Sequence, residues 1–163
     1  MKPITLPGTF VSVCCAYGER RELVAGLIDN DAEFAYTHGQ CLALALALHE
    51  RRRDWPIVAL ADAACLMPHP AGDGEVGSYD GLCLCQIAHI GVLASEGRFV
   101  DIRGPRSLRE ALEASLTKRV VPCSPALLAG IRGDRRHWQP QRICVARSFV
   151  DAVLRRLDPN PEV

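Results

Sequence analysis

One cysteine, one histidine and one aspartate stand in this chain in the types and order that covalent chemistry at an amide uses: Cys41, His89 and Asp101. Cys41 follows the turn Thr37-His38-Gly39-Gln40 and opens the apolar run Leu42-Ala43-Leu44-Ala45-Leu46-Ala47-Leu48. The first N–H groups of a helix have no intrahelical acceptor, so a thiol placed there meets donors that stabilise a thiolate. The same donors serve an oxyanion forming on a substrate carbonyl. A histidine would take the thiol proton and return it to the leaving group, while a carboxylate fixes its tautomer and favours the imidazolium. The plain alternative makes Cys41 a small buried hydrophobe in a non-catalytic interaction domain. A third reading sets Cys83, Cys85 and His89 on one strand face, as zinc ligands together with Cys41. The chain has no Cys-x-x-Cys pair, the commonest zinc spacing, so no metal is expected.

The elements around these residues must place them. From Gln40 to Arg53 no β-branched residue occurs, and Ala and Leu are strong helix formers, so the central run reads as a helix. Thr37 and Gln40 have the spacing of a capping box at its start. Being apolar all round, it belongs at the centre of a domain, and it reaches water at Glu50-Arg51-Arg52-Arg53. Residues 82–93 and 98–103 read as a hairpin. A three-residue loop Ser95-Glu96-Gly97 pairs Ala94 with Arg98 and sets Gly91 opposite Asp101, with His89, Gly91 and Asp101 on one face. Gly91 then leaves room for the Asp101 carboxylate to lean toward the imidazole. A two-residue loop would turn Asp101 away.

The remaining pattern is that of a single domain over residues 1–163, with an N-terminal arm at 1–9 and a frayed tail at 158–163. Phe10 to Cys15 is a strand or a helix start. Arg21 to Ile28 reads as a helical turn or two, broken by Asp29-Asn30-Asp31, and Phe34-Ala35-Tyr36 leads into the central turn. Ile57 to Ala61 is a buried strand, and residues 67–81 form the longest loop. Gly104-Pro105-Arg106 is a turn, and Ser107 with Glu110 is a capping box for a helix to about Leu116. Arg119 to Pro122 is an edge strand, and Ser124-Pro125 starts a helix ending near Gly133. After a polar connection at 139–142, a last helix runs from Val145 to Leu157, with Val145, Phe149, Val153 and Leu157 on one stripe. Of the other histidines, His49 is a helix-end residue, His69 lies in the long loop, and His137 is at the surface.

Lys+Arg and Asp+Glu both number 19, so no net field draws nucleic acid or an anionic membrane. No apolar run nears the ~20 residues of a membrane helix, and no signal peptide is visible. The eight cysteines sit mostly among aliphatic residues, which points to a reducing, cytoplasmic compartment. The expected partner is a protein or peptide substrate, and no cofactor is implied.

The order Cys41, His89, Asp101, the Gly39-Gln40-Cys41 entry into an apolar helix, and the hairpin together resemble the papain-like fold of cysteine hydrolases and acyltransferases. That group includes papain-like peptidases, bacterial cell-wall endopeptidases, transglutaminase-like enzymes and related bacterial toxins. The likeness covers about residues 36–103. It implies an α+β fold with a papain-like core, a central buried helix packed on a small antiparallel β-sheet. It also implies cleavage or transfer at a peptide, isopeptide or glutamine amide through a Cys41 thioester. Papain-like peptidases carry an oxyanion glutamine several residues before the nucleophile, where this chain has Phe34, Ala35 and Tyr36. Gln40 and Asn30 are the candidates to replace it, with Gly39 and His38 lining the pocket.

Overall fold

The computed structural model describes residues 1–65, 78–79, 81–134 and 138–158. The chain opens with a hairpin of β1 (Phe10–Cys14) and β2 (Arg20–Val24), in register from Phe10↔Val24 to Cys14↔Arg20. The helical turn expected at Arg21 to Ile28 is therefore a strand as far as Val24, followed by a turn at Ala25-Gly26. The backbone of β1 pairs it, and Tyr17 and Gly18, both at positive φ, close the turn between them. Helix α1 (Asn30–Thr37) follows. The polar triplet read as a break is its start: Asp29 is the N-cap, accepting from Ala32 N–H at 2.9 Å, and Asp31 and Glu33 favour the positive end of the helix.

Helix α2 (Cys41–Arg51) is the expected central helix, with Cys41 to Ala45, Ala47 and Leu48 buried. Its capping box does not form. Thr37 belongs to α1 and donates its hydroxyl to Glu33 O at 2.7 Å, and the N-cap of α2 is Gln40 without a side-chain cap bond. At the far end Glu50 is held by Arg147 and Lys2 rather than solvated. The Arg147 hydrogen bonds, helped by Lys2 and opposed by partial burial, draw its carboxyl down to about 2.

The rest of the chain forms β3 (Ile57–Ala61), β4 (Ser78–Tyr79), β5 (Leu82–Cys83), β6 (Ile87–Leu93), β7 (Arg98–Asp101), β8 (Gly104–Ser107), α3 (Leu108–Ser115), β9 (Arg119–Pro122), α4 (Pro125–Gly133), α5 (Ile143–Ala146) and α6 (Val150–Arg155). Five strands make one antiparallel sheet in the order β8-β7-β6-β3-β9. The fold is α+β, with α2 joining Ala59, Ala61, Ile90, Val92 and Val100 in the main core. Val58, Leu60 and Phe99 point the other way and meet Ala111 of α3. The sheet thus lies between two helical layers.

Both prolines near sheet ends sit on edge strands, where a missing N–H is tolerated: Pro105 in β8 and Pro122 in β9. So Gly104-Pro105-Arg106 is a strand rather than a turn. The turn lies earlier, at Ile102-Arg103, with Asp101 paired to Gly104. Ser107 and Glu110 form the expected capping box on α3, and Ser124 caps α4. The final helix breaks into α5, a 3-10 turn at Arg147–Phe149, and α6, where Ser148 Oγ donates to Val145 O at 2.6 Å. Its stripe Val145, Phe149, Val153 is still fully buried. The N-terminal arm is tied down: Thr5 N–H donates to Cys144 O and Gly8 N–H to Ala25 O. Most of the long loop expected at 67–81, His69 and His137, and residues 159–163 of the tail lie outside the described residues. Among the described residues no helix is long and apolar enough to cross a membrane.

Candidate active site

The start of α2 is built by three separated parts of the chain. Gly39 has φ +125°, and a Cβ there would meet Ala16 N at 2.8 Å and Cys15 C at 3.1 Å, so only glycine lets the β1–β2 loop press against this turn. Ala16 N–H donates to His38 O at 2.7 Å and fixes the approach. From the C-terminal side, Gln141 Nε2 donates to Gly39 O at 2.7 Å and Gln141 Oε1 accepts from Ala43 N–H at 2.9 Å. Gln141 therefore caps α2 from 98 residues away, in place of the absent capping box. Helix geometry leaves the N–H groups of Cys41 and Leu42 with no intrahelical acceptor.

Gln40 is not an oxyanion donor. It is 1 % exposed, and its amide is fully engaged: Nε2 donates to Cys14 O and Pro140 O, and Oε1 accepts from Arg142 N–H. It is the rivet that joins the two braces to α2. Asn30 is exposed on the first turn of α1, at the opposite end of that helix from the turn before Cys41. His38 is exposed, stacked on Phe34 at 4.4 Å between centroids, with Nδ1 2.8 Å from Thr37 Oγ1. These contacts turn it away from a pocket role. Gly39 stays as a shaping residue. His49 Nδ1 meets Trp55 O at 2.7 Å, at the helix end.

The hairpin forms in the expected register: Val92 pairs with Val100, and Ala94 N–H donates to Arg98 O, which extends to Gly91 opposite Asp101. Gly91 is needed for another reason than expected. A Cβ there would lie 2.4 Å from Phe99 Cζ and 2.7 Å from Val100 O, so the space belongs to the Phe99 ring, which also rests 5.7 Å from the His89 ring. Pairing of β3 with β6 steps from Leu60↔His89 to Ala61↔Ile87, leaving a bulge at Ala88 immediately before His89. Bulges re-aim the side chains next to them.

His89 Nε2 lies 2.8 Å from Asp101 Oδ2. Arg103 N–H donates to Asp101 Oδ1 at 2.8 Å, and Arg106 Nη2 donates to Oδ2. Arg106 is hidden in the sequence, where Gly104-Pro105-Arg106 has the composition of a turn. In β8 it pairs with Phe99 and so reaches over the strand to Asp101. Burial opposes the Asp101 carboxylate, but the hydrogen bond and charge of His89, then Arg106, then the Arg103 N–H hold its pKa below the ordinary value. For His89 burial again pulls against the charged form. The bond to Asp101, the interaction with the Cys41 side chain and both their charges outweigh it and raise the imidazolium to about 9. Cys41 thus acts on the ring from the helical layer and Asp101 from the neighbouring strand. Nδ1 is a buried ring nitrogen with no aligned hydrogen-bond partner. Catalytic bonds are often poorly aligned until substrate binds.

Cys41, His89 and Asp101 are 3 %, 6 % and 2 % exposed, so the group is closed to solvent in this conformation. A second thiol, Cys123, is pushed up to about 12 by burial and then by the charge of Cys41. The zinc set Cys41, Cys83, Cys85, His89 does not assemble. His89 is bound to Asp101, and the strand expected to carry both cysteines is interrupted by a 3-10 turn at Leu84–Gln86. Cys83 and Cys85 gather instead with Cys65, which spacing in the sequence did not suggest. No protein-family model matches the chain, and comparisons with curated proteins and with solved structures return no match either.

Proposed function

We propose that this chain is a thiol-dependent hydrolase or acyltransferase acting on a peptide, isopeptide or glutamine amide, with Cys41 as nucleophile, His89 as acid and base, and Asp101 as its orienting carboxylate. The observation that carries this reading is the buried ring of His89, held through Nε2 at 2.8 Å from Asp101 Oδ2, with Nδ1 left without a partner and Cys41 among the groups that act on the ring. A buried ring N–H with no made bond costs free energy, and such groups persist where a reaction uses them.

In this mechanism the Cys41 thiolate attacks the amide carbon. The N–H groups of Cys41 and Leu42 receive the oxyanion, Ala43 N–H being taken by Gln141. His89 gives its proton to the departing amine, leaving a thioester. Neutral His89 then takes a proton from water, which cleaves the thioester to an acid, or from an amine acceptor, which makes a new amide. Either way the Cys41–His89 pair is restored. The papain-like core belongs to this same reading and is supported by the order of residues and by a helix that delivers its first thiol to a strand histidine. The cytoplasm suits a chain with this many thiols.

Burial of all three residues favours a second reading, an interaction domain in which the His89–Asp101–Arg106 network only organises the sheet. The two separate on labelling. Under the enzyme reading, iodoacetamide at mildly acidic pH modifies Cys41 ahead of the other cysteines, and His89→Ala or Asp101→Asn slows it in folded protein. Equal labelling of Cys41 in parent and variants, or preference for another thiol, would leave the interaction domain.

A further inference from the structure

Three sulfurs from two segments converge beyond the end of the β3–β6 pair. Cys65 follows β3, Cys83 lies in β5, and Cys85 lies in the 3-10 turn that leads into β6. Cys85 Sγ is 2.9 Å from Cys65 Sγ and 3.0 Å from Cys83 Sγ, and all three lie within 4.8 Å of one another. We propose that Cys65, Cys83 and Cys85 are protein ligands of a thiophilic metal ion, zinc, at a site separate from Cys41 and His89.

The geometry argues against the obvious substitute, a disulfide. Bonded sulfurs stand about 2.0 Å apart, so both contacts are nearly 1 Å too long, and Cys85 is shared between two neighbours where a disulfide allows one. Thiolates bound to tetrahedral zinc at about 2.3 Å stand roughly 3.8 Å from each other. Both short pairs reach that spacing by opening less than about 1 Å, for Cys65 by a rotation of its exposed side chain. An all-sulfur set selects a soft or borderline ion over calcium or magnesium, which take oxygen. With Cys65 exposed and Cys83 and Cys85 half-buried, the ion has an entry path from water. Three sulfurs leave a fourth position for solvent or another donor.

Each thiol gives up its proton as it binds, so affinity rises with pH. Before binding, burial first and then the two neighbouring sulfurs push the Cys85 thiol upward. The fold also shows what the ion would hold. Asp62 N–H donates to Gln86 O at 2.9 Å and Gln86 Nε2 donates to Asp62 O at 3.0 Å. A metal bridging Cys65 to Cys83 and Cys85 adds a third tie at the same place, shortly before the bulge that aims His89.

The test loads reduced, metal-stripped protein with Zn2+, and with Co2+ as a coloured reporter. Expected are one ion per chain, a thiolate-to-cobalt charge-transfer band, and a higher melting temperature with Zn2+. Cys65→Ser, Cys83→Ser and Cys85→Ser each lose the band, while Cys41→Ala and Cys123→Ser keep it. Cys65 is exposed, so its serine variant folds and decides the matter even if a Cys83 or Cys85 variant does not. The proposal is overturned by less than stoichiometric metal, by a band that survives Cys65→Ser or vanishes in Cys41→Ala, or by protein kept free of chelator that proves lighter by two hydrogens from a Cys65–Cys85 or Cys83–Cys85 disulfide.

Discussion

Asp101→Asn separates charge from geometry at the centre of the site. Asp101 is 2 % exposed and carries two cationic neighbours, Arg106 at 18 % and His89 at 7 % side-chain exposure. Asparagine fits the space but supplies no charge. Removing one partner of a buried ion pair costs about 3–5 kcal/mol, and the partial exposure of Arg106 places this case near the lower figure. For a chain of this size that is a fall of roughly 6–12 °C in melting temperature. Removing the stranded guanidinium as well, in Asp101→Asn/Arg106→Met, returns about 1–2 kcal/mol, because no cation is then left buried without its carboxylate. Thermal melts of the parent, both single variants and the double variant close the cycle. Cys41 labelling follows a different course. It drops ~10-fold or more in Asp101→Asn, since the amide holds the ring in the wrong tautomer, and stays low in the double variant. Recovery of labelling together with stability would mean that Asp101 serves only to neutralise Arg106. A single variant that melts within about 2 °C of the parent would refute the network itself.

Three further outcomes follow from the same geometry. The His89 pKa is raised to about 9, so its stabilising contribution is complete below its ordinary value near 6.5 and is lost as pH rises through about 9. Ring NMR titration should show protonated His89 at pH 8 and a lower pKa in Cys41→Ala; an unchanged value there would remove Cys41 from the pair. Gly91→Ala drives a methyl into the Phe99 ring and should cost about 1–3 kcal/mol in urea melts, whereas a neutral result would mean that Phe99 moves aside freely. Gln141→Ala uncaps α2 at a cost of about 1–2 kcal/mol and should slow Cys41 labelling; unchanged stability and labelling would show that Ala43 N–H finds another acceptor.

What the sequence made legible was local. The hairpin register followed from one three-residue loop, and the Ser107–Glu110 and Ser124 starts followed from capping side chains a few residues from their targets. The central helix followed from composition. What stayed hidden depended on partners far along the chain. Arg20–Val24 reads locally as a helical turn and becomes β2 only because β1 pairs with it. Arg106 reaches Asp101 only once β8 folds back on β7. Thr37 and Gln40 had the spacing of a cap, but α1 claimed the threonine and Cys14, Pro140 and Arg142 claimed the glutamine.

The bond from Gln141 to Ala43 also sets an order of events during synthesis. Cys41 leaves the ribosome about a hundred residues before Gln141, at 5–20 residues per second a delay of many seconds. Through that interval the helix that presents the thiol has neither its distant cap nor the Pro140 and Arg142 contacts to Gln40. A chain stopped before residue 139 carries every residue of the Cys41–His89–Asp101 group and still lacks the clamp that seats the first of them. Seating of Cys41 at its helix start thus waits for the last stretch of the chain, and a chain truncated before residue 139 leaves that helix without its cap.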